Sequence, residues 1–290
     1  MSIKVDIDPD AGFCPGVVAA IERAESILEK EGRLLCLGEL VHNEEETERL
    51  RRKGLLIIDH EELPDAEEEK VLIRAHGEPP ETYRNAGKHG VIIEDATCPV
   101  VIRLQEKVGK AYREMEKRNG QVVIFGKAAH PEVIGLQGHA EGRAVVVSKI
   151  EDLVKIDMNK PVRLFSQTTM DKEAYGTIAG IIRDKTARCN NEDVVIFRSI
   201  CGKVANRVEG LRKFAKAHDM VVFVSGKNSS NGAYLFTVCR EANPASIRIS
   251  SESELDPAAL SGKNNIGVSG ATSTPSWLMK KIADKIRTFS

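Results

Sequence analysis

Gly12-Phe13-Cys14-Pro15-Gly16-Val17, Ala96-Thr97-Cys98-Pro99-Val100-Val101 and Ser199-Ile200-Cys201-Gly202-Lys203-Val204 are three versions of one local pattern. Each closes a β-like run and opens a helix-like one. The runs before them are Ile3 to Ile7, Gly90 to Glu94 and Val194 to Phe197. Those after them, about Val17 to Lys30, Val100 to Arg118 and Lys203 to His218, carry apolar residues at helical spacing. Cys14 and Cys98 lie 84 positions apart and Cys98 and Cys201 lie 103 apart, so the pattern recurs about once per third of the chain. Such recurrence marks a repeat.

The repetition continues beyond the cysteines. A second strand follows each helix, Arg33 to Leu40, Gln121 to Phe125 and Met220 to Val224, and runs into a polar loop: Val41-His42-Asn43, His130-Pro131-Glu132 and Asn228-Ser229-Ser230-Asn231. A third strand, Val71 to Arg74, Val162 to Phe165 and Asn265 to Val268, leads to Ala75-His76-Gly77, Gln167-Thr168-Thr169 and Thr272-Ser273-Thr274. His76, Thr168 and Ser273 stand 62, 70 and 72 positions after their cysteines. Alternating strands and helices argue for parallel sheets, with the ligand site at the carboxyl ends of the strands. The fold expected is α/β: three small lobes with mainly parallel sheets in a pseudo-threefold trefoil. The lobes are 14–97, 98–197 and 198–290, the last completed by 1–13. Each is small for a self-sufficient core.

Composition sets the class. The 290 residues hold 42 Lys+Arg and 43 Asp+Glu, a formal net charge of -1, so no bulk field draws the chain to nucleic acid or an anionic membrane. Aromatic residues make up only 4%, which leaves the core to Val, Ile, Leu and Ala, as buried parallel strands require. The N-terminal Met1-Ser2-Ile3-Lys4-Val5-Asp6 turns acidic at once, and no run approaches the ~18 apolar residues of a membrane span. A cytoplasmic protein is expected. In a reducing compartment, six cysteines read as metal ligands, nucleophiles or inert core residues rather than a disulfide framework.

A cysteine at a helix N-terminus is biased toward thiolate by the helix dipole, and thiolate binds soft metals. Three such residues could hold Zn²⁺ with a histidine or water as fourth ligand, or a cubane iron–sulfur cluster with one iron lacking a protein ligand. A lone cysteine nucleophile explains less, because it has no use for two equivalents at corresponding loops. Cys36 and Cys239 sit in apolar runs and read as small hydrophobes, and Cys189 reads as a loop thiol.

His42, His76 and His130 occupy the polar loops, whereas His60, His89, His139 and His218 are expected to be solvated. With Thr168, Thr169, Asn228, Ser229, Ser230, Asn231 and Ser273, the loop histidines form a neutral, donor-rich set suited to phosphate or diphosphate oxygens. The Ser/Asn run reads equally well as a helix cap. Glu132 is the one acid in these loops and could carry protons, or could be an ordinary first-turn carboxylate after Pro131. The runs Glu44 to Glu46 and Glu67 to Glu69 read as solvated surface.

In this order, Gly12-Phe13-Cys14, Val41-His42-Asn43, Arg74-Ala75-His76-Gly77, Asp95-Ala96-Thr97-Cys98-Pro99, His130-Pro131-Glu132-Val133, Gln167-Thr168-Thr169, Gly226-Lys227-Asn228-Ser229-Ser230-Asn231 and Ser273-Thr274-Pro275 resemble the 4-hydroxy-3-methylbut-2-enyl diphosphate reductases over nearly the whole chain. The resemblance implies a three-lobed fold around a [4Fe-4S] cluster held by Cys14, Cys98 and Cys201, with one open iron. It implies reductive dehydroxylation of an allylic alcohol diphosphate, the last step of the non-mevalonate isoprenoid pathway. Glu132 matches the proton-delivering acid, assisted by Thr168 and His130. His42, His76, Ser229, Ser230, Asn231 and Ser273 match the diphosphate-binding positions. Electrons come singly from a ferredoxin or flavodoxin, since no Gly-x-Gly-x-x-Gly turn follows the first strand. Gly202-Lys203-Val204 and Arg207-Val208 depart from the family's small residue, threonine and Arg-Gln after the third cysteine, which bears on redox potential. A zinc hydrolase of a phosphorylated substrate and a non-catalytic iron–sulfur redox sensor use the same cysteines and are the competing readings.

Overall fold

Short apolar runs and proline-led helices alternate along the chain. The computed structural model describes residues 3–289, so Met1 and Ser2 of the N-terminal stretch lie outside the described residues. In chain order these form β1 (Lys4–Ile7), α1 (Pro15–Glu31), β2 (Leu34–Leu37), α2 (Glu44–Arg51), β3 (Leu55–Ile58), β4 (Lys70–Ile73), α3 (Pro80–Lys88) and β5 (Ile92–Asp95). Then come α4 (Pro99–Lys117), β6 (Gln121–Phe125), α5 (Pro131–His139), β7 (Val145–Val147), β8 (Val162–Ser166), α6 (Lys172–Arg188) and β9 (Val194–Ile196). The last elements are α7 (Gly202–Lys216), β10 (Met220–Val224), α8 (Ser230–Ala242), β11 (Ile247–Ile249), β12 (Asn265–Gly270) and α9 (Ser276–Arg287). Pro15, Pro99 and Pro131 open their helices at the first turn, where the missing N–H costs nothing.

The strands form three four-stranded sheets of one plan, in the orders β1-β12-β10-β11, β5-β4-β2-β3 and β9-β8-β6-β7. Pairings β1–β12, β10–β12, β10–β11, β2–β4, β4–β5, β6–β7, β6–β8 and β8–β9 are all parallel. The three-lobed parallel α/β reading is thus borne out. Central strands β2, β8 and β10 are buried at every residue, as strands covered on both faces must be. The strand leading into each cysteine is an edge strand, and it pairs with the strand of the preceding polar loop: β5 beside β4, β9 beside β8, β1 beside β12. Each sheet therefore carries two polar loops and the cysteine that follows them, not the one before.

The sequence misplaced several boundaries and missed the fourth strand of every sheet. The second strand was expected to run to Leu40 but stops at Leu37, because Gly38 turns to φ 73°. The strand before Cys98 starts at Ile92 rather than Gly90, where φ is 66°. β3, β7 and β11 are only three or four residues long and lack a period of their own.

The chain divides into two compact units. One holds residues 1–34, 39–57 and 202–290; the other holds 35–38 and 58–201. In the first, one face of the β1-β12-β10-β11 sheet packs Val5, Val222, Val224 and Val268 against Leu278, Ile282 and Ile286 of α9. The other face packs Val221 and Phe223 against Leu211 of α7 and Leu235 of α8. In the second unit, Ile124 and Phe165 lie against Leu104 and Val108 of α4 and Leu136 of α5, while Val123 and Leu164 lie against Ile178 and Ile182 of α6. Among the described residues, no helix is long and apolar enough to cross a membrane.

Candidate active site

The six cysteines are unbridged, and their surroundings divide them sharply. Cys36 and Cys239 are fully buried, and burial, the largest influence, pushes the Cys36 thiol up to about 12. They are inert core thiols, as expected. Cys14 and Cys98 are half-buried N-caps of α1 and α4, and half-buried Cys201 immediately precedes α7. Their backbones share a further feature that the sequence did not show. Each cysteine N–H donates to the carbonyl of a residue in the third-strand loop of its own sheet: Cys14 to Thr272 at 3.2 Å, Cys98 to Ala75 at 3.0 Å, Cys201 to Thr168 at 2.9 Å. Each helix N-terminus and its polar loop are thereby pinned together. Half-buried thiols, unbridged by disulfides, at three helix N-termini are a donor set that fits a soft metal or an iron–sulfur cluster.

In the second unit, Thr168 links the next group. Its backbone N–H donates to Glu132 Oε1 and its hydroxyl to Oε2, both at 2.7 Å. Glu132, in the first turn of α5, is 1% exposed. Burial therefore dominates and raises its pKa to about 7, against the two Thr168 hydrogen bonds that favour the carboxylate. His130, the N-cap of α5, accepts the Glu132 N–H on Nδ1 at 3.2 Å, which leaves the neutral ring its proton on Nε2. The His76 ring meets that of His130 edge-on at 5.2 Å between centroids. Thr169 is half-buried, and its hydroxyl accepts from Gln167 Nε2 at 2.9 Å.

In the first unit, three polar loops are packed together. Gly226 lies so close to the His42 loop that a Cβ there would stand 2.3 Å from the His42 carbonyl oxygen. Ser229 caps α8 through Gly232 N–H, and its hydroxyl lies 3.0 Å from that of Ser273. The cap reading of the serine run therefore holds for Ser229. Buried Asn231 accepts from Thr272 N–H and hydroxyl on Oδ1, at 3.0 and 2.9 Å, which fixes its amide orientation. Its buried Nδ2 has no acceptor among the described residues, so this donor is available to an anion. Ser230 is half-buried and Asn228 is exposed at the loop surface.

Two expectations are corrected. Glu46 was read as solvated surface but is 1% exposed, because Arg49 and Trp277 both bind its carboxylate. Its neighbour Glu44 is exposed, yet its carboxylate accepts from Lys227 N–H at 3.0 Å. His218 was expected to be solvated, but its side chain is only 5% exposed, with Nδ1 2.7 Å from Phe214 O and Nε2 3.3 Å from Asp6. Trp277 and Asp8 were not singled out at all, and Gly226 and Arg207 entered only as members of motifs. Arg207 Nη2 donates to Asp8 Oδ2 at 2.8 Å and to the Ser269 hydroxyl at 3.0 Å, tying α7 to the loop before Cys14. Of the other departures near Cys201, Lys203 is exposed and Val208 packs on the α7–α8 core.

These features define a class: a parallel α/β enzyme with hydrogen-bonding loops and a buried acid of raised pKa at the carboxyl ends of its strands. The comparisons with known proteins are specific. Residues 5–287 match the model of the LytB protein family. A 4-hydroxy-3-methylbut-2-enyl diphosphate reductase of Bacteroides fragilis is 47% identical over 287 residues, covering 98% of each chain. That of Porphyromonas gingivalis is 48% identical over 290 residues, covering 98% of this chain and 99% of the relative. Among solved structures, the E-1-hydroxy-2-methyl-but-2-enyl-4-diphosphate reductase of Plasmodium falciparum superposes with a TM-score of 0.85 at 26% identity, over 98% of this chain and 88% of that one. A second, (E)-4-hydroxy-3-methyl-but-2-enyl diphosphate reductase, the terminal enzyme of the non-mevalonate pathway, gives 0.72 at 32% identity over 99% of both chains. The chain belongs to the LytB protein family.

Proposed function

We propose that this chain reduces 4-hydroxy-3-methylbut-2-enyl diphosphate: the allylic C–O bond breaks, two electrons and two protons are taken up, and isopentenyl and dimethylallyl diphosphate form with water. Glu132 carries this reading. Hydroxide is a poor leaving group and must depart as water, so the site needs an acid still protonated near neutral pH. Glu132, with its pKa raised to about 7, supplies one. When Glu132 is protonated, the Thr168 hydroxyl can turn to accept from it and donate onward, which makes Thr168 a relay. His130, protonated on Nε2, adds a neutral donor, with His76 beside it. Substrate binding falls to His42, His76, His130, Thr168, Thr169, Asn228, Ser229, Ser230, Asn231 and Ser273, as in the sequence reading. Neutral N–H and O–H donors at the start of α8 suit a phosphate oxygen without binding it irreversibly.

Cys14, Cys98 and Cys201 would hold the [4Fe-4S] cluster. When bound, a cluster with one iron lacking a protein ligand supplies single electrons and Lewis acidity at the hydroxyl. The donor is then a one-electron carrier, a ferredoxin or flavodoxin. Unbridged thiols suit a reducing cytoplasm. The lobes 14–97, 98–197 and 198–290 with 1–13 agree with the strand order common to the three sheets.

Anaerobic purification followed by an assay with the allylic diphosphate and a one-electron reductant tests the proposal. About four iron and four sulfide per chain, lost in Cys14→Ser, Cys98→Ser and Cys201→Ser, are expected together with turnover. Near one zinc with no sulfide would mean a hydrolase-type site, and a full cluster without turnover would mean a sensor.

A further inference from the structure

We infer that the hydrogen bond from Trp277 to Glu46 is a strut that sets the spacing of the diphosphate-facing loops, with Trp277 a positioning residue for substrate binding. The inference rests on the proposed diphosphate site.

Asn43, directly after His42, is the N-cap of α2, and α9 starts at Ser276, directly after Ser273-Thr274-Pro275. Trp277 Nε1 donates to Glu46 Oε2 at 2.7 Å, so the first turns of these two helices are joined by one bond between a half-buried indole and a buried carboxylate. The rest of the Glu46 shell explains why the bond is directional. Arg49 donates to both carboxylate oxygens, Nε at 2.9 Å and Nη2 at 2.5 Å. Its Nη1 reaches Glu25 of α1 at 2.6 Å. The Glu46–Arg49 pair lies within α2 and is complete by itself, with Glu46 the foremost influence raising the Arg49 pKa. The third bond, from Trp277, couples α2 to α9.

The loops carried by those helices meet a third. Gly226 packs against the His42 carbonyl, Glu44 accepts the Lys227 N–H, and Ser229 lies 3.0 Å from Ser273. The Gly226–Ser229 loop thus touches the His42 loop on one side and the Ser273 loop on the other. The strut joins those two flanking helices behind it. Without the strut, α9 keeps its apolar packing through Leu278 and Ile282, while the first turn behind Ser273 loses its polar tie to α2. Preorganisation of the binding loops is what such a tie contributes, so its loss acts on binding and not on the chemical step.

Trp277→Phe keeps the ring and removes only the N–H. Calorimetric titration of the purified protein with inorganic diphosphate, together with steady-state kinetics of the reconstituted enzyme, should show Kd and KM both rising about tenfold, with kcat within about twofold of the parent. Ile182→Val, in the core behind α6, serves as a control of lowered stability and should leave Kd unchanged. Should Trp277→Phe fail to fold, Glu46→Gln keeps a weaker acceptor in the same volume, and a rise of about threefold in Kd is expected. An unchanged Kd in the folded variant, or a fall in kcat at constant KM, overturns the strut. Parent protein that neither binds diphosphate nor turns over the substrate overturns the proposed function instead.

Discussion

Glu46 and Glu132 occupy corresponding places, in the first turn of the helix that follows the second strand of their lobes, and both are 1% exposed. Each has its backbone N–H accepted by the N-cap side chain, Asn43 for Glu46 and His130 for Glu132. They differ in what faces the carboxylate. Glu46 is met by a guanidinium and an indole N–H, partners suited to the anion. Among the described residues, Glu132 accepts hydrogen bonds from the N–H and hydroxyl of Thr168, so burial dominates and its pKa is raised to about 7. One glutamate is a fixed strut and the other a movable proton. The neighbour decides which, not the residue type or its place in the repeat.

Removing the titratable group breaks the contrast most severely. Glu132→Gln keeps the shape and an acceptor for Thr168 but has no proton to deliver, so kcat should fall about 10²–10⁴-fold while iron content is retained. A variant with parental kcat would remove Glu132 from the mechanism.

The second consequence is a dependence of stability on pH. The folded pKa of Glu132 is raised from 4.5 to about 7, so its contribution is fully present below pH 4.5 and is lost as pH rises through about 7. The total is on the order of 3 kcal/mol. Urea unfolding of parent and Glu132→Gln across this window should show the parent losing stability relative to the variant. Parallel curves would mean that Glu132 titrates alike in the folded and the unfolded chain, without a raised pKa.

The smallest effect concerns the caps. Asn43→Ala removes the acceptor for Glu46 N–H, and chemical denaturation should register a loss of about 1 kcal/mol. Because Arg49 and Trp277 still hold the Glu46 side chain, diphosphate affinity should change less than in Trp277→Phe. A larger loss of affinity would show that the cap, rather than the strut, positions the loop.

Much of this architecture was legible in the chain. Strand, cysteine and helix follow one another within a dozen residues, and the cues are local: an apolar run, a small or proline residue after the cysteine, then apolar positions at helical spacing. Glu132 could be picked out because it is the lone acid in the central polar loops. Glu46 could not, since it sits in a run of three glutamates whose composition suggests solvent. Trp277, far along the sequence, is what helps to draw it inside. Gly226 was equally silent, because its need for hydrogen in place of Cβ arises only from the His42 carbonyl packed against it.

The sequence by itself determined the order of elements, the threefold recurrence and the residue types available for chemistry, because these depend on interactions between near neighbours along the backbone. Tertiary structure decided which cysteine shares a sheet with which polar loop, and which partners face each of two buried glutamates. Both are set by residues tens to hundreds of positions apart, through pairing and desolvation that exist only once the chain has folded.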